Sequence, residues 1–262
     1  MNSKIIPMQN NLVLIYLFLI GLTFGSFFNV VGLRVPLKKS IVAPGSACPT
    51  CGHQLRAYEL IPVLSYMIQK GKCRGCQSRI SPIYPTMELI TGILFATAPL
   101  VVGWSSELVL ALTLISMFII IIVSDIHYMI IPDKILIWFA GIFLLERIIW
   151  PLNPWWDNLI GACAGFTLLL IIALVSKGGM GFGDVKLYAL LGFVLGFKLV
   201  LISFFLSTLY GAVLGGLAML LRIVKRRQPI PFGPFIAAGT LSAYYWGSEM
   251  IELYIRFLNQ GF

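Results

Sequence analysis

The chain has 262 residues, of which 59% are hydrophobic and only 11% are charged. Soluble domains carry about 25% charged residues, so this composition excludes a soluble globular protein. The mean hydropathy of +0.93 indicates a protein with several membrane spans. The net charge of +9 comes from 19 basic and 10 acidic residues. No basic surface interleaved with aromatic residues accompanies it, so we expect no binding to nucleic acid.

Long apolar runs mark the candidate transmembrane helices, because about 20 helical residues cross the hydrocarbon core. Eight runs are present, at 11–33, 84–102, 108–124, 135–150, 158–176, 187–197, 199–221 and 231–247. The sixth run is short, and Lys198 marks its boundary with the seventh. We therefore predict an all-α polytopic membrane protein with about eight transmembrane helices in a lipid bilayer.

The basic residues predict the orientation of these helices. By alternation of the spans, fifteen of them fall on one side: eight in the segment 34–83, then Lys134, Lys177, Lys186, Arg222, Lys225, Arg226 and Arg227. Only Lys4, Arg147, Lys198 and Arg256 fall on the other side. The basic side of membrane proteins is cytoplasmic, so we expect both termini to lie outside.

The polar segment 35–83 contains two Cys-x-x-Cys pairs, Cys48–Cys51 and Cys73–Cys76, separated by 21 residues. This pattern is typical of a four-thiolate zinc site, although the separation is one residue beyond the usual window. Two disulfides are the alternative, but a cytoplasmic loop is reduced. We expect one structural zinc, with glycines at tight turns whose amides face the sulfurs. His53 is expected to be a solvated loop residue.

Two aspartates are predicted to lie at the cytoplasmic ends of spans. Asp125 ends the third span, and Asp184 precedes the sixth, 59 residues later, after Gly178, Gly179, Gly181 and Gly183. Two carboxylates that share a partly dry site do not easily both ionise, so such a pair offers a general base and a general acid. The glycines would allow an extended substrate strand to approach the backbone closely.

Other interpretations of these acids stay open at this point. Asp184 and Asp133 are both placed where acids cap helices, and Asp133 is expected to do so. Glu88, just inside the second span, is costly in a membrane and is therefore a functional candidate. A proton-coupled transporter would use the same acids, and a zinc-loop scaffold without catalysis would leave the glycine-rich segment unexplained. Cys163 is expected to be a small packing residue.

The ordered motifs resemble those of the type IV prepilin peptidases, most closely those of Gram-positive competence systems. The resemblance covers nearly the whole chain. It rests on Gly25-Ser-Phe-Phe-Asn-Val30, both Cys-x-x-Cys pairs, Glu59-Leu-Ile-Pro-Val-Leu-Ser-Tyr66, Tyr84-Pro85 with Glu88, Asp125 before Pro132, Gly181-x-Gly183-Asp184-Val-Lys186, and Pro231-Phe-Gly-Pro-Phe235.

The resemblance implies a bacterial plasma-membrane aspartyl endopeptidase with Asp125 and Asp184 as its catalytic pair. Such enzymes remove the short basic leader of pilin-like precursors at the cytoplasmic face, in pilus assembly, competence and protein secretion. Many members then methylate the new N-terminus with S-adenosylmethionine, which is thus a candidate methyl donor. Candidate substrate-binding residues are Gly181, Gly183, Lys186 and Glu88. No motif marks the methyl-transfer site, for which Glu88 and the cytoplasmic segment are the candidates.

The predicted organisation has three parts: a first transmembrane helix at 1–34, a cytoplasmic zinc-binding loop at 35–83, and a helical aspartyl-protease core at 84–262.

Overall fold

The computed structural model describes residues 8–176, 180–222 and 230–260. Several residues used in the sequence analysis lie outside these ranges: Lys4, Lys177, Gly178, Gly179, Lys225, Arg226 and Arg227.

The described residues form an all-helical structure. The helices are α1 (Met8–Arg34), α2 (Leu64–Ile68), α3 (Ile83–Val102), α4 (Ser106–Tyr128), α5 (Asp133–Ile149), α6 (Asp157–Val175), α7 (Phe182–Leu195), α8 (Phe197–Leu220) and α9 (Gly233–Gln260). A single 3-10 turn, Ala57–Glu59, lies in the long connection between α1 and α3. The β-structure among the described residues consists of two isolated antiparallel β-bridges, Ala47 with Gln54 and Lys72 with Arg79. Both lie in that connection.

Five of these helices are long and apolar enough to cross a membrane: Asn11–Arg34 within α1, then α3, α4, α6 and α8. The other three predicted spans are also helical, but α5 has 17 residues and α7 has 14. Helix α9 has 28 residues and a weaker apolar character. The helical class and the presence of several helices able to span a membrane are thus confirmed, while the count of eight stays a prediction.

The boundary between α7 and α8 lies at Gly196. The charge of Lys198 had suggested a boundary two residues later, and that prediction was wrong. Gly196 has φ of +79°, a left-handed conformation that favours glycine and ends α7 after Leu195. Asp157 accepts a hydrogen bond from the Phe197 backbone N–H at 3.3 Å. Lys198 therefore lies inside the first turn of α8.

The chain divides into two compact units, Met1–Val123 and Ser124–Phe262, and the boundary falls within α4. In the first unit, α1 packs along α3, and glycines allow the close approach. A Cβ atom on Gly21 would lie 2.8 Å from the Thr91 carbonyl oxygen, and one on Gly25 would lie 2.8 Å from the Glu88 Cα. Small residues are favoured at such contacts because helices in lipid associate through close van der Waals packing.

In the second unit, α6 packs along α7 and α8 packs along α9. The α6–α7 contact is the tighter, because a Cβ atom on Gly161 would overlap the Gly192 carbonyl oxygen and one on Gly192 would overlap that of Gly161. A Cβ atom on Gly165 would overlap the Tyr188 carbonyl oxygen. The backbones of α6 and α7 thus touch over two helical turns, which holds α7 in place.

We predict that Gly161→Ala destabilises the protein by about 1–3 kcal/mol, the usual cost of overpacking. The matched control is Gly141→Ala in α5, where an added Cβ meets no atom within 4 Å. Thermal unfolding in detergent should show a lower midpoint for Gly161→Ala and an unchanged or slightly higher midpoint for Gly141→Ala. Equal midpoints for the two variants would contradict the close-packed α6–α7 contact.

Candidate functional site

The four loop cysteines converge on one point in the first unit. The Sγ atoms of Cys48, Cys51, Cys73 and Cys76 all lie within 4.8 Å of one another, which is close enough to hold one metal ion. The Sγ atoms of Cys48 and Cys76 are 3.8 Å apart, and those of Cys51 and Cys73 are 3.9 Å apart. Four sulfurs at a Zn–S distance of about 2.3 Å in a tetrahedron are separated by about 3.8 Å, so the cluster has the size of a four-thiolate site.

Each cysteine pair lies in a tight turn of the same design. The Cys48 N–H donates to the His53 carbonyl and the Cys73 N–H donates to the Ser78 carbonyl, both at 2.9 Å. Gly52 follows the first pair with φ of +72°, and the Gly75 N–H faces the Cys73 sulfur at 3.4 Å. Backbone hydrogen bonds from Cys51 and Thr50 lower the pKa of Cys48 to about 5. Against a backbone hydrogen bond from His53, the Cys76 side chain and burial raise the pKa of Cys51 to about 12, so ionisation of one thiol opposes that of its neighbour.

Glu59 holds the first turn in place. Its carboxylate accepts the Arg56 N–H at 2.9 Å and contacts the His53 ring at 3.1 Å, and Arg74 lies 3.9 Å away. The hydrogen bond from Arg56, together with His53 and Arg74, lowers the pKa of Glu59. His53, expected to be a solvated residue, is therefore partly fixed by an acid beside the cysteine cluster.

The two aspartates both lie in the second unit, near enough for the charge of one to act on the other. Asp125 is buried in the last turn of α4, and its charge is felt at the half-buried Asp184 carboxyl. Asp184 lies in the first turn of α7, three residues after the N-cap residue Gly181. An acid in the first turn of a helix lies near the free N–H groups of that turn, so a capping role for Asp184 and its place near Asp125 are compatible.

Asp125 is fixed by the start of α9. Its Oδ2 atom accepts the Gly233 backbone N–H at 2.7 Å. The first N–H groups of a helix lack partners within the helix and favour negative charge, so this contact satisfies both α9 and the carboxylate. Ser124 supports the turn that follows, because its hydroxyl donates to the Ile130 carbonyl at 2.6 Å.

Gly233 is the site residue that the sequence analysis did not single out. An added Cβ would lie 2.8 Å from the Asp125 Oδ2 atom, so the site has room only for glycine. The signal was its place in the Pro231–Phe235 motif, although nothing in the sequence indicated that this motif contacts Asp125. Gly183 is also tightly packed, since an added Cβ would lie 3.0 Å from the Ile131 Cβ.

Lys186 of α7 and Asp133 of α5 form an ion pair in the second unit. The Lys186 ammonium donates to both Asp133 carboxylate oxygens at 2.8 Å, and both side chains are largely exposed. Asp133 lies in the first turn of α5, but Pro132 occupies the N-cap position, and the expected capping role is replaced by this pair. The pair lines a cavity of about 320 Å³ together with apolar residues of α5 and α7.

Glu88 belongs to the first unit, where it is buried in the second turn of α3. Its Oε2 atom accepts the Val63 backbone N–H at 2.7 Å, which joins α3 to the loop that carries the cysteines.

Cys163, expected to be a packing residue, is instead exposed on α6.

Comparisons with known proteins match nearly the whole chain. Residues 19–102 match the family model described as the bacterial peptidase A24 N-terminal domain, and residues 112–216 match the type IV leader peptidase family. A protein of Bacillus subtilis (strain 168) is 49% identical over 92% of this chain and 97% of its own length. Proteins of Aeromonas hydrophila (34%) and Pseudomonas aeruginosa (33%) each cover 91% of this chain and 92% of their own length. All three are called prepilin leader peptidase/N-methyltransferase. No solved structure gives a significant match.

Proposed function

The chain belongs to the type IV leader peptidase family, and on that premise we propose that it removes the leader of pilin-like precursors and methylates the new N-terminus. The observation that supports the peptidase activity is that Asp125 and Asp184 lie in one unit, near enough to interact electrostatically, with Asp125 held by the Gly233 N–H. The relatives and the family give the transporter alternative no support.

Asp125 and Asp184 are the proposed catalytic pair. One carboxylate removes a proton from water as the water oxygen attacks the carbonyl carbon of the leader junction. The other carboxyl, which holds a proton, donates it to the departing amide nitrogen when the C–N bond breaks. Because one acid starts ionised and the other protonated, the pair begins and ends the reaction with one proton in total.

Gly181, Gly183 and Lys186 are proposed to contact the precursor. Gly181 is exposed at the N-cap of α7, so its backbone is open to an extended peptide segment, while Gly183 lets the first turn of α7 pack closely against Ile131. Lys186, whose ammonium is paired with Asp133, lines the neighbouring apolar cavity between α5 and α7. We assign Glu88 to the methyl-transfer activity, because it belongs to the first unit with the cysteine loop.

The cysteine cluster is proposed to hold one structural zinc. Its four thiolates fill a tetrahedron, so no open coordination position remains for catalysis. Zinc would stabilise the segment 35–83, which packs few apolar side chains of its own.

In the membrane, we propose about eight spans, with the cysteine loop and both aspartates on the cytoplasmic side and both termini outside. The basic residues of the segment 34–83 support this orientation. The proposed parts are the first helix (1–34), the zinc loop (35–83) and the protease core (84–262).

We predict that Asp125→Asn and Asp184→Asn each lower leader removal by at least about a hundredfold, since each acid contributes general acid–base catalysis. The double variant should be no worse than either single one, because effects within a catalytic unit are not additive. The assay is co-expression with a pilin precursor and mass analysis of its N-terminus. Asp133→Asn is the matched control and should cost little, because exposed ion pairs contribute about 0–1 kcal/mol. Substantial leader removal by either single Asn variant would end the aspartyl-protease proposal.

We predict that Gly233→Ala lowers the kcat of leader removal by at least about tenfold, because the added methyl group displaces the Asp125 carboxylate and small misplacements are costly. Gly216→Ala in α8 is the control, since an added Cβ there meets no atom within 4 Å. Full activity of Gly233→Ala would show that the Asp125 position is not set by this contact.

We predict about one zinc per purified chain, and its loss in Cys51→Ser and Cys76→Ser, because the tetrahedron needs all four thiolates. Cys163→Ser is the matched control and should keep its zinc, since Cys163 lies on α6. Elemental analysis measures the metal, and limited proteolysis of the segment 35–83 measures its folding. A wild-type chain with no bound metal, or variants that retain it, would contradict the site.

A further inference from the structure

The segment 61–68, which ends with α2, exposes an apolar face made of Ile61, Leu64, Met67 and Ile68. Leu64, Met67 and Ile68 are 58%, 66% and 70% exposed, and Ile61 is 44% exposed. The Ser65 N–H donates to the Ile61 carbonyl at 3.0 Å, so the helical turn includes Ile61 and the four side chains share one side of it. Contiguous exposed apolar patches mark contacts with a membrane or with another protein.

The other side of this segment is turned toward the interior of the first unit. Ser65, Tyr66 and Gln69 line a cavity of about 440 Å³ that is bounded by α1, α3 and the loop between them. The Oε1 atom of Gln69 is buried there. The segment is thus fixed in orientation, with polar side chains inward and the apolar face outward.

Two observations place the segment beside the membrane-spanning helices. The Val63 N–H, directly before α2, donates to the Glu88 carboxylate at 2.7 Å. Glu88 lies about 8 Å along α3 from Ile83, at a rise of about 1.5 Å per residue, within a helix that is long and apolar enough to span a membrane. Ser26 and Asn29, in the spanning part of α1, line the same cavity as α2. The apolar face therefore lies at the depth where spanning helices enter lipid.

Two lysines follow the apolar face directly. Lys70 and Lys72 are exposed and come just after the end of α2. A lysine has a long apolar stem, so it can keep its ammonium at the headgroups while the residues before it lie deeper. An apolar face bordered by lysines is the pattern of segments that lie in the interface of an anionic membrane.

We propose that the segment 61–68 is inserted into the lipid leaflet on the side of the cysteine loop. The apolar face lies among the acyl chains, and Lys70 and Lys72 contact anionic lipid headgroups. The inference rests on the membrane location of α1 and α3 and on neither proposed activity. Insertion would anchor the cysteine loop to the membrane surface at the residue, Val63, that contacts Glu88.

A second copy of the chain and the apolar helix of a precursor are other occupants of an apolar face. Charge favours the lipid over the precursor, because the basic leader of a precursor would be repelled by Lys70 and Lys72. A second copy would bring the same two lysines to the contact. Both occupants are outcomes of the test.

The test uses the full chain, one copy per nanodisc, with an environment-sensitive fluorescent amino acid in place of Met67. A control label replaces Gln54, which is exposed in the first cysteine turn. A lipid with a nitroxide near the headgroup end of its acyl chain should quench the label at position 67 at least about threefold more than the label at 54, because interfacial helices are buried about 5–10 Å into the headgroup–acyl boundary. Iodide in the water should quench the two labels in the opposite order. The midpoint of thermal unfolding shows that each labelled chain is folded.

The charge part of the proposal is tested with the lipid composition. Replacing zwitterionic lipid with anionic lipid should increase the lipid quenching at position 67, and the double variant Lys70→Gln/Lys72→Gln should lose this increase. Lys38→Gln/Lys39→Gln is the matched control, since both lysines are exposed in the same loop but lie before the cysteines. Equal responses of the two double variants would overturn the headgroup contact.

Strong iodide quenching at position 67 without lipid quenching would overturn the insertion, and its loss on addition of a pilin precursor would assign the face to the precursor. Quenching by neither agent in single-copy nanodiscs would also overturn it, because the chain itself would then cover the face. Loss of iodide quenching only at two copies per nanodisc would assign the face to a second copy. A chain that fails to remove leaders leaves these readouts unaffected, so the two proposals fail separately.

Discussion

A buried carboxylate in an apolar protein must be hydrogen-bonded, and three acids of this chain meet that constraint in one way. Asp125, Glu88 and Glu59 accept backbone N–H groups from Gly233, Val63 and Arg56, at 2.7, 2.7 and 2.9 Å. An unpaired buried charge would cost several kcal/mol, so the segments that supply the amides are fixed together with the acids. The start of α9, the loop before α2 and the first cysteine turn are each positioned by such a contact.

The fold also depends on glycines at helix contacts, because two backbones can touch only where side chains are absent. Gly161 and Gly192 bring α6 and α7 into direct contact, which sets the position from which Asp184 projects. Gly233 lets the first amide of α9 reach Asp125. Two carboxyl groups can share a proton only when they are close to each other. In an assembly of apolar helices, close backbone packing fixes the positions of the helices that carry such groups.

The features that local sequence determines could be predicted well. The predicted span 84–102 is α3 (Ile83–Val102) in the structure. Each Cys-x-x-Cys pair forms a compact turn by itself, and the predicted four-cysteine cluster is present. Contacts between distant segments could not be predicted. The Gly233–Asp125 bond joins residues 108 apart, and composition carries no signal for it. The α7–α8 boundary predicted from Lys198 was wrong, because a charged residue is a weaker helix terminator than a glycine with positive φ.

The two proposed activities require opposite environments, and the chain provides them in different units. Peptide hydrolysis needs water and a proton that moves between acids, and Asp184 is half-buried while Asp125 is fixed by an amide. The proposed methyl transfer to an N-terminal amine needs a site shielded from water, and Glu88, to which it is assigned, is buried in the first unit. Since the two activities place conflicting demands on a carboxylate, assigning them to different residues removes the conflict.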